Sequence, residues 1–167
     1  MAHLPSKGKF LKANTIYIDT SVVNFFFEEQ DLEKANSTRE LFHELKLQKY
    51  HAFISELVLR EIGRSTLLKK EKLLSLIRTY RIPWLEVTAE CLGLNEKYME
   101  RKIFPPKYRD DGLHIAIATV HRIDVLVSWN LKHMVKWKTR REVKAVNLFE
   151  GYGEIEICTP LEVIEND

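Results

Sequence analysis

Five short apolar runs, at 15–18, 52–55, 84–87, 125–129 and 155–158, alternate with helix-length amphipathic stretches along the 167 residues. That alternation predicts a mostly parallel sheet with helices on both faces, because parallel strands need long crossovers that carry helices over the sheet. One domain suffices for a chain of this length. The polar stretch 1–14, with Lys7, Lys9 and Lys12, is expected to be a loose arm before a single domain at 15–167.

Local signals place the helices. In the corner Thr15-Ile16-Tyr17-Ile18-Asp19-Thr20-Ser21 a strand hands over to a helix running to about Glu29, with Thr20 or Ser21 as its cap. Ser37-Thr38-Arg39-Glu40 has the form of a capping box opening a helix with Leu41, Phe42 and Leu45 on one face. Ser55 and Thr88 are placed to cap further helices, and Leu67, Leu73, Leu74 and Ile77 outline one that ends before Pro83. A helix from Asp110 or Asp111 to Arg122 is apolar on most sides and is expected to be buried. Of its two leading acids, Asp110 is read as the cap, and either is eligible as the functional acid, since helical periodicity does not choose between them.

Composition narrows the class. No apolar run is long enough to span a bilayer, and the N-terminus has no apolar signal core, so a cytoplasmic protein is expected. Cys91 and Cys158 have no partner spacing that suggests zinc or a disulfide framework. The net charge of +2 hides a basic segment, 132–144, with Lys132, Lys136, Lys138, Arg140, Arg141 and Lys144 around His133 and Trp137. Basic residues interleaved with an aromatic suit a phosphate backbone, although a solvated helix face has the same composition.

The carboxylates point to chemistry. Asp19 ends the first strand, Glu61 lies in the helix after the second, Asp111 starts the buried helix and Asn130 ends the fourth strand. Right-handed crossovers gather the carboxyl ends of parallel strands at one edge, where open α/β sheets bind ligands. Clustered acids repel one another unless a cation joins them, and all-oxygen donors favour Mg2+ or Mn2+. His114, one turn beyond Asp111, reads as a hydrogen-bonded core histidine with a metal or phosphate contact as the alternative. Glu56 reads as a helix-dipole partner.

In this order, Asp19-Thr20-Ser21, Ser55–Ile62 with Glu61, Asp111-Gly112-Leu113-His114-Ile115-Ala116 and Leu126-Val127-Ser128-Trp129-Asn130 resemble a PIN domain. These are metal-dependent ribonucleases that include the VapC-type toxins of toxin–antitoxin pairs, and the resemblance runs from about Thr15 to Asn130. It implies a three-layer α/β/α sandwich and hydrolysis of RNA by a water activated by one or two Mg2+ or Mn2+ ions. It further implies Asp19, Glu61, Asp111 and Asn130 as catalytic residues, the first three as metal ligands, and Thr20 or Ser21 as positioning hydroxyls. Asn130 stands where many members have Asp, which puts a second ion in doubt. RNA contacts are expected from Lys132, Lys136, Arg140 and Arg141. An antitoxin and a second copy of the chain are the expected protein partners, with part of Phe25-Phe26-Phe27 at an interface. The rival expectation keeps the fold as an RNA- or protein-binding module without catalysis. Haloacid-dehalogenase-type phosphatases want a second Asp at position 21, which is Ser, and receiver domains want an acidic pair before the first strand.

Overall fold

A computed structural model describes residues 15–164, so the expected arm at 1–14 lies outside the described residues. The chain runs β1 (Thr15–Ile18), α1 (Thr20–Phe25), α2 (Leu32–Lys46), β2 (His51–Ser55), α3 (Glu56–Gly63), α4 (Leu67–Thr79) and β3 (Trp84–Leu85). It continues through α5 (Ala89–Glu100), a 3-10 turn (Pro106–Tyr108), α6 (Arg109–Val120), β4 (Val125–Val127), α7 (Trp137–Phe149), β5 (Glu156–Cys158) and α8 (Pro160–Ile164). The five strands form one sheet in the order β3-β2-β1-β4-β5, and every pairing is parallel. Helices α1 to α4 and α8 pack together, while α5 packs with α6 and α7. Right-handed crossovers put those two groups on opposite faces, which completes the three-layer α/β/α sandwich. Among the described residues, no helix is long and apolar enough to cross a membrane.

The direction of winding reverses between β1 and β4. Strands β2 and β3 extend the sheet to one side of β1, and β4 and β5 extend it to the other. The crevice at such a switch point is where the loops after two neighbouring strands diverge and leave room for a ligand.

Tertiary burial shapes α6. Ile115, Ile117, Thr119 and Val120 are weak helix formers, each costing up to about 0.7 kcal/mol against Ala. Burying an aliphatic side chain returns about 1.5–3 kcal/mol, and Ile115, Ala116, Ile117 and Ala118 are all fully buried. Packing therefore outweighs propensity. Gly112 is part of that packing, because a Cβ there would stand 2.4 Å from Asn95 Oδ1 and 2.9 Å from the Phe104 ring. Asn95 is buried and its amide donates to Arg109 O at 3.2 Å, so it cannot swing aside freely. Gly112→Ala gains about 1 kcal/mol of helix propensity, but overpacking costs about 1–3 kcal/mol. We expect net destabilisation in urea melts; a variant more stable than wild type would show that α5 and α6 separate easily.

Local expectations failed in identifiable ways. The first helix is capped by Asp19, not by Thr20 or Ser21, and stops at Phe25 rather than near Glu29. The box at Ser37 does not open α2, because Asp31 does, accepting from Lys34 N at 3.2 Å. Ser37 and Thr38 instead bond back to Glu33 O and Lys34 O inside the helix. Asp110 does not cap α6. The 3-10 turn opened by Pro106 runs straight into the helix, whose N-cap position is Tyr108. Strands β3 and β4 are shorter than expected, so Asn130 lies in the turn three residues beyond β4.

Candidate functional site

Asp19 closes β1 and caps α1. Its Oδ1 accepts from Ser21 Oγ at 2.5 Å and from Val22 N at 3.2 Å, and its Oδ2 accepts from Ser128 Oγ at 2.6 Å. The register pairs Ile18 with Val127, so the next residues, Asp19 and Ser128, meet across the switch point. Ser21 also accepts from Trp129 N at 2.9 Å and ties α1 to the turn after β4. Burial pushes the Asp19 pKa above the usual 3.8, against the charge of His114 and the hydroxyls of Ser128 and Ser21.

Glu61 comes from the second turn of α3. Its Oε1 accepts from Thr20 Oγ1 at 2.9 Å and meets His114 Nε2 at 2.6 Å. His114 is 3% exposed, and its other nitrogen lies 2.7 Å from Tyr17 Oη, which is itself 2.7 Å from Ser55 Oγ. A chain of four side chains, buried except at the partly exposed Glu61, thus crosses from α3 through α6 and β1 to β2. The expected core histidine is there, and it grips a site acid at the same time. Burial alone would raise the Glu61 pKa, but the hydrogen bond and charge of His114, with Thr20, hold it below 4.5. Burial opposes protonation of His114, yet its bond to Glu61 and the charges of Glu61, Asp19 and Asp111 raise its pKa above 6.5.

Asp111 stands in the first turn of α6. Burial raises its pKa above 3.8; the side chain of Asn130 and the charges of His114 and His133 work against this, and the charge of Asp19 adds to it. Its Oδ2 is buried without a hydrogen-bond partner. Asn130 Oδ1 accepts from His133 N at 3.1 Å, which holds its turn. Asp19, Glu61, Asp111 and Asn130 therefore gather at one edge. Among the described residues no three His, Cys, Asp or Glu side chains converge as a metal cage. The donors still fit a hard ion of the Mg2+ type, which takes one or two carboxylates and completes its shell with water and substrate oxygens. The orphaned Asp111 Oδ2 is the atom such an ion would satisfy.

The basic segment divides. Arg140 donates to Ile157 O at 3.3 Å and pairs with Glu162 at 3.5 Å, and Arg141 lies over the Trp137 ring. Lys132 and Lys136 precede α7 and carry no ion pair among the described residues. Glu56 accepts from Val87 N and takes no part in the site. Cys91 and Cys158 are free. A cavity of about 670 Å3 opens at the opposite edge of the sheet. Three of its four acids are already engaged, Asp124 by Thr15, Glu90 by Tyr152 and Glu154 by Lys144, and the fourth, Glu150, is exposed.

Ser128 and Tyr17 are the participants that sequence reading missed. Ser128 is one residue beyond a strand pair, and it becomes visible once β1 and β4 are known to be neighbours. Tyr17 reads only as an apolar strand residue.

The pKa directions fix a pH dependence for the metal-free protein. Asp19, Asp111 and His114 have folded values above their unfolded ones. Their contribution is complete below the unfolded values and is lost as pH rises through the folded ones. Glu61, shifted down, behaves oppositely, in a more acid window. Melting in EDTA is expected to be higher at about pH 6 than at about pH 8, chiefly through His114. A higher melting temperature at the alkaline end would contradict these directions.

No family model and no curated protein matches the sequence. Among solved structures, the chain is similar to one chain of "Crystal structure of VapBC2 from Rickettsia felis bound to a DNA fragment from their promoter". The likeness has a TM-score of 0.51 at 16% identity and covers 87% of this chain and 98% of that one. What the two chains share is a fold, the α/β/α sandwich with its acidic edge here at the switch point.

Proposed function

We propose that the chain is a metal-dependent ribonuclease of the PIN type that hydrolyses RNA phosphodiesters with water. One observation carries this reading: Asp19 is buried and Asp111 half-buried, the charge of Asp19 acts on Asp111, and the buried Asp111 Oδ2 has no hydrogen-bond partner. Acids arranged so are stabilised by a cation. Asp19, Glu61 and Asp111 would hold Mg2+ or Mn2+, and such an ion supplies an activated water and neutralises charge on the leaving oxygen. Ser21 and Ser128 fix both oxygens of Asp19, while Thr20 and His114 fix Glu61. Asn130 supplies a neutral side chain beside Asp111, which favours one ion over two.

Labelled RNA incubated with the protein and Mn2+, beside an Asp19→Asn variant, tests the proposal. Wild type should cut the RNA, and the variant should lose about a hundredfold or more. Equal cleavage by both, or none by either, would overturn it. A second reading, a PIN-fold module that binds RNA or protein without catalysis, draws on the missing three-acid cage and on the engagement of Glu61 by Thr20 and His114. Such a module would show no Mn2+ binding that depends on Asp19 and Asp111.

A toxin role with an antitoxin partner, and a homodimer, belong to this reading as proposals, and the fold shared with a chain of the VapBC2 structure supports it. Phe27 is 39% exposed, with Leu67 and Leu68 more so, and these side chains offer an apolar surface for a partner chain. A cytoplasmic location fits this role.

A further inference from the structure

Most ring contacts are explained by burial. Phe26, Phe42 and Tyr80, and Tyr98 with Phe104, meet within or against the core. Tyr108 and His133 are different. They stack with centroids 3.8 Å apart and planes 27° apart, both half-buried and neither part of the core cluster.

Their place in the chain ties them to the acids. Tyr108 ends the 3-10 turn, three residues before Asp111, and His133 lies three residues after Asn130. The His133 loop is fixed on both sides of the ring, His133 N donating to Asn130 Oδ1 and His133 O accepting from Thr139 Oγ1 at 2.9 Å. The Asp111 carboxylate and the ammonium groups of Lys132, Lys136 and Lys107 all act electrostatically on this imidazole. The Lys107 ammonium stands 4.8 Å from the Tyr108 centroid. Since His133 stacks on one face of that ring, Lys107 covers the other, and its exposed side chain is free to yield the place.

We infer that the Tyr108–His133 stack is a platform for an unpaired nucleobase beside the acidic site, with Lys107, Lys132 and Lys136 taking the flanking phosphates. Aromatic faces among exposed cations suit a single strand, whose bases have free π faces; bases inside a duplex do not. The inference rests on the ribonuclease reading and assigns Tyr108 and His133 to holding the strand beside the acids. It also moves the RNA contacts away from Arg140 and Arg141, which protein groups already engage.

Fluorescence anisotropy in EDTA at fixed salt, with a labelled single-stranded oligoribonucleotide and the same sequence as a duplex, tests this. Cleavage in Mn2+ is followed in parallel. Wild type should prefer the single strand. Tyr108→Ala and His133→Ala should each weaken that binding about tenfold and raise KM for cleavage similarly, whereas Tyr108→Phe keeps wild-type affinity. Replacing Lys107, Lys132 and Lys136 together by Ala should weaken both probes and flatten the salt dependence. Melting curves for each variant confirm an intact fold, and His133→Ala serves if Tyr108→Ala proves unstable. Unchanged binding and KM in both alanine variants, or a Tyr108→Phe loss equal to that of Tyr108→Ala, overturns the platform. In that case wild-type cleavage leaves the ribonuclease reading standing. A wild type that neither binds nor cuts the single strand overturns both.

Discussion

Asp111→Asn is expected to abolish Mn2+ binding and to cut RNA cleavage by about a hundredfold or more, while raising the melting temperature of the metal-free protein. The two effects have opposite signs for one reason. Burial and the charge of Asp19 lift the Asp111 pKa, so keeping it ionised at neutral pH opposes folding. Asn removes that charge at nearly constant shape. The same substitution deletes a buried acid oxygen at the site that has no hydrogen-bond partner, and metal sites lose about 10–100-fold even when only a supporting residue is removed. Calorimetric Mn2+ titration and melting in EDTA read the two signs separately. Wild-type Mn2+ affinity, or a lower melting temperature in EDTA, would count against the assigned role.

His114→Ala should have the largest effect on stability, about 2–4 kcal/mol in urea denaturation. It opens a cavity at a fully packed position and strips one partner from Tyr17 Oη and another from Glu61 Oε1. Tyr17→Phe removes a single hydroxyl and should cost about 1–2 kcal/mol. Because both act on one hydrogen-bond chain, their effects should sum to more than the double variant loses. Strict additivity would mean that the chain from Ser55 to Glu61 is a set of separate contacts. Cleavage should fall in His114→Ala as well, since Glu61 then loses the hydrogen bond it shares with His114 and keeps that from Thr20.

The parts of the fold that were readable in the sequence are those decided locally. The β1–α1 corner, the caps at Ser55 and Thr88, the apolar α6 and the run of alternating elements all follow from neighbours a few residues apart. Ser37-Thr38-Arg39-Glu40 misled because a capping box and two hydroxyls bonding back inside a helix share one composition, and only Asp31 upstream distinguishes them. In the site, the acids were visible as residue types at strand ends and helix starts. Their supports were not. Ser128 against Asp19, Tyr17 against His114 and Tyr108 against His133 each join positions 25 to 109 residues apart. The first of these exists because β1 lies beside β4, a strand order that no local pattern records.

The sheet's two margins bear on how this molecule meets others. One border strand, β3, has two residues and follows directly on Pro83; the other, β5, has three, begins with exposed Glu156 and leads through Thr159 into Pro160. Such truncated, charged and proline-flanked borders give an incoming extended segment almost no ladder to join. Fibril-like stacking and recognition by strand addition are both disfavoured. A protein partner is left with the helical layers, and the segment it brings is expected to be a helix laid against them.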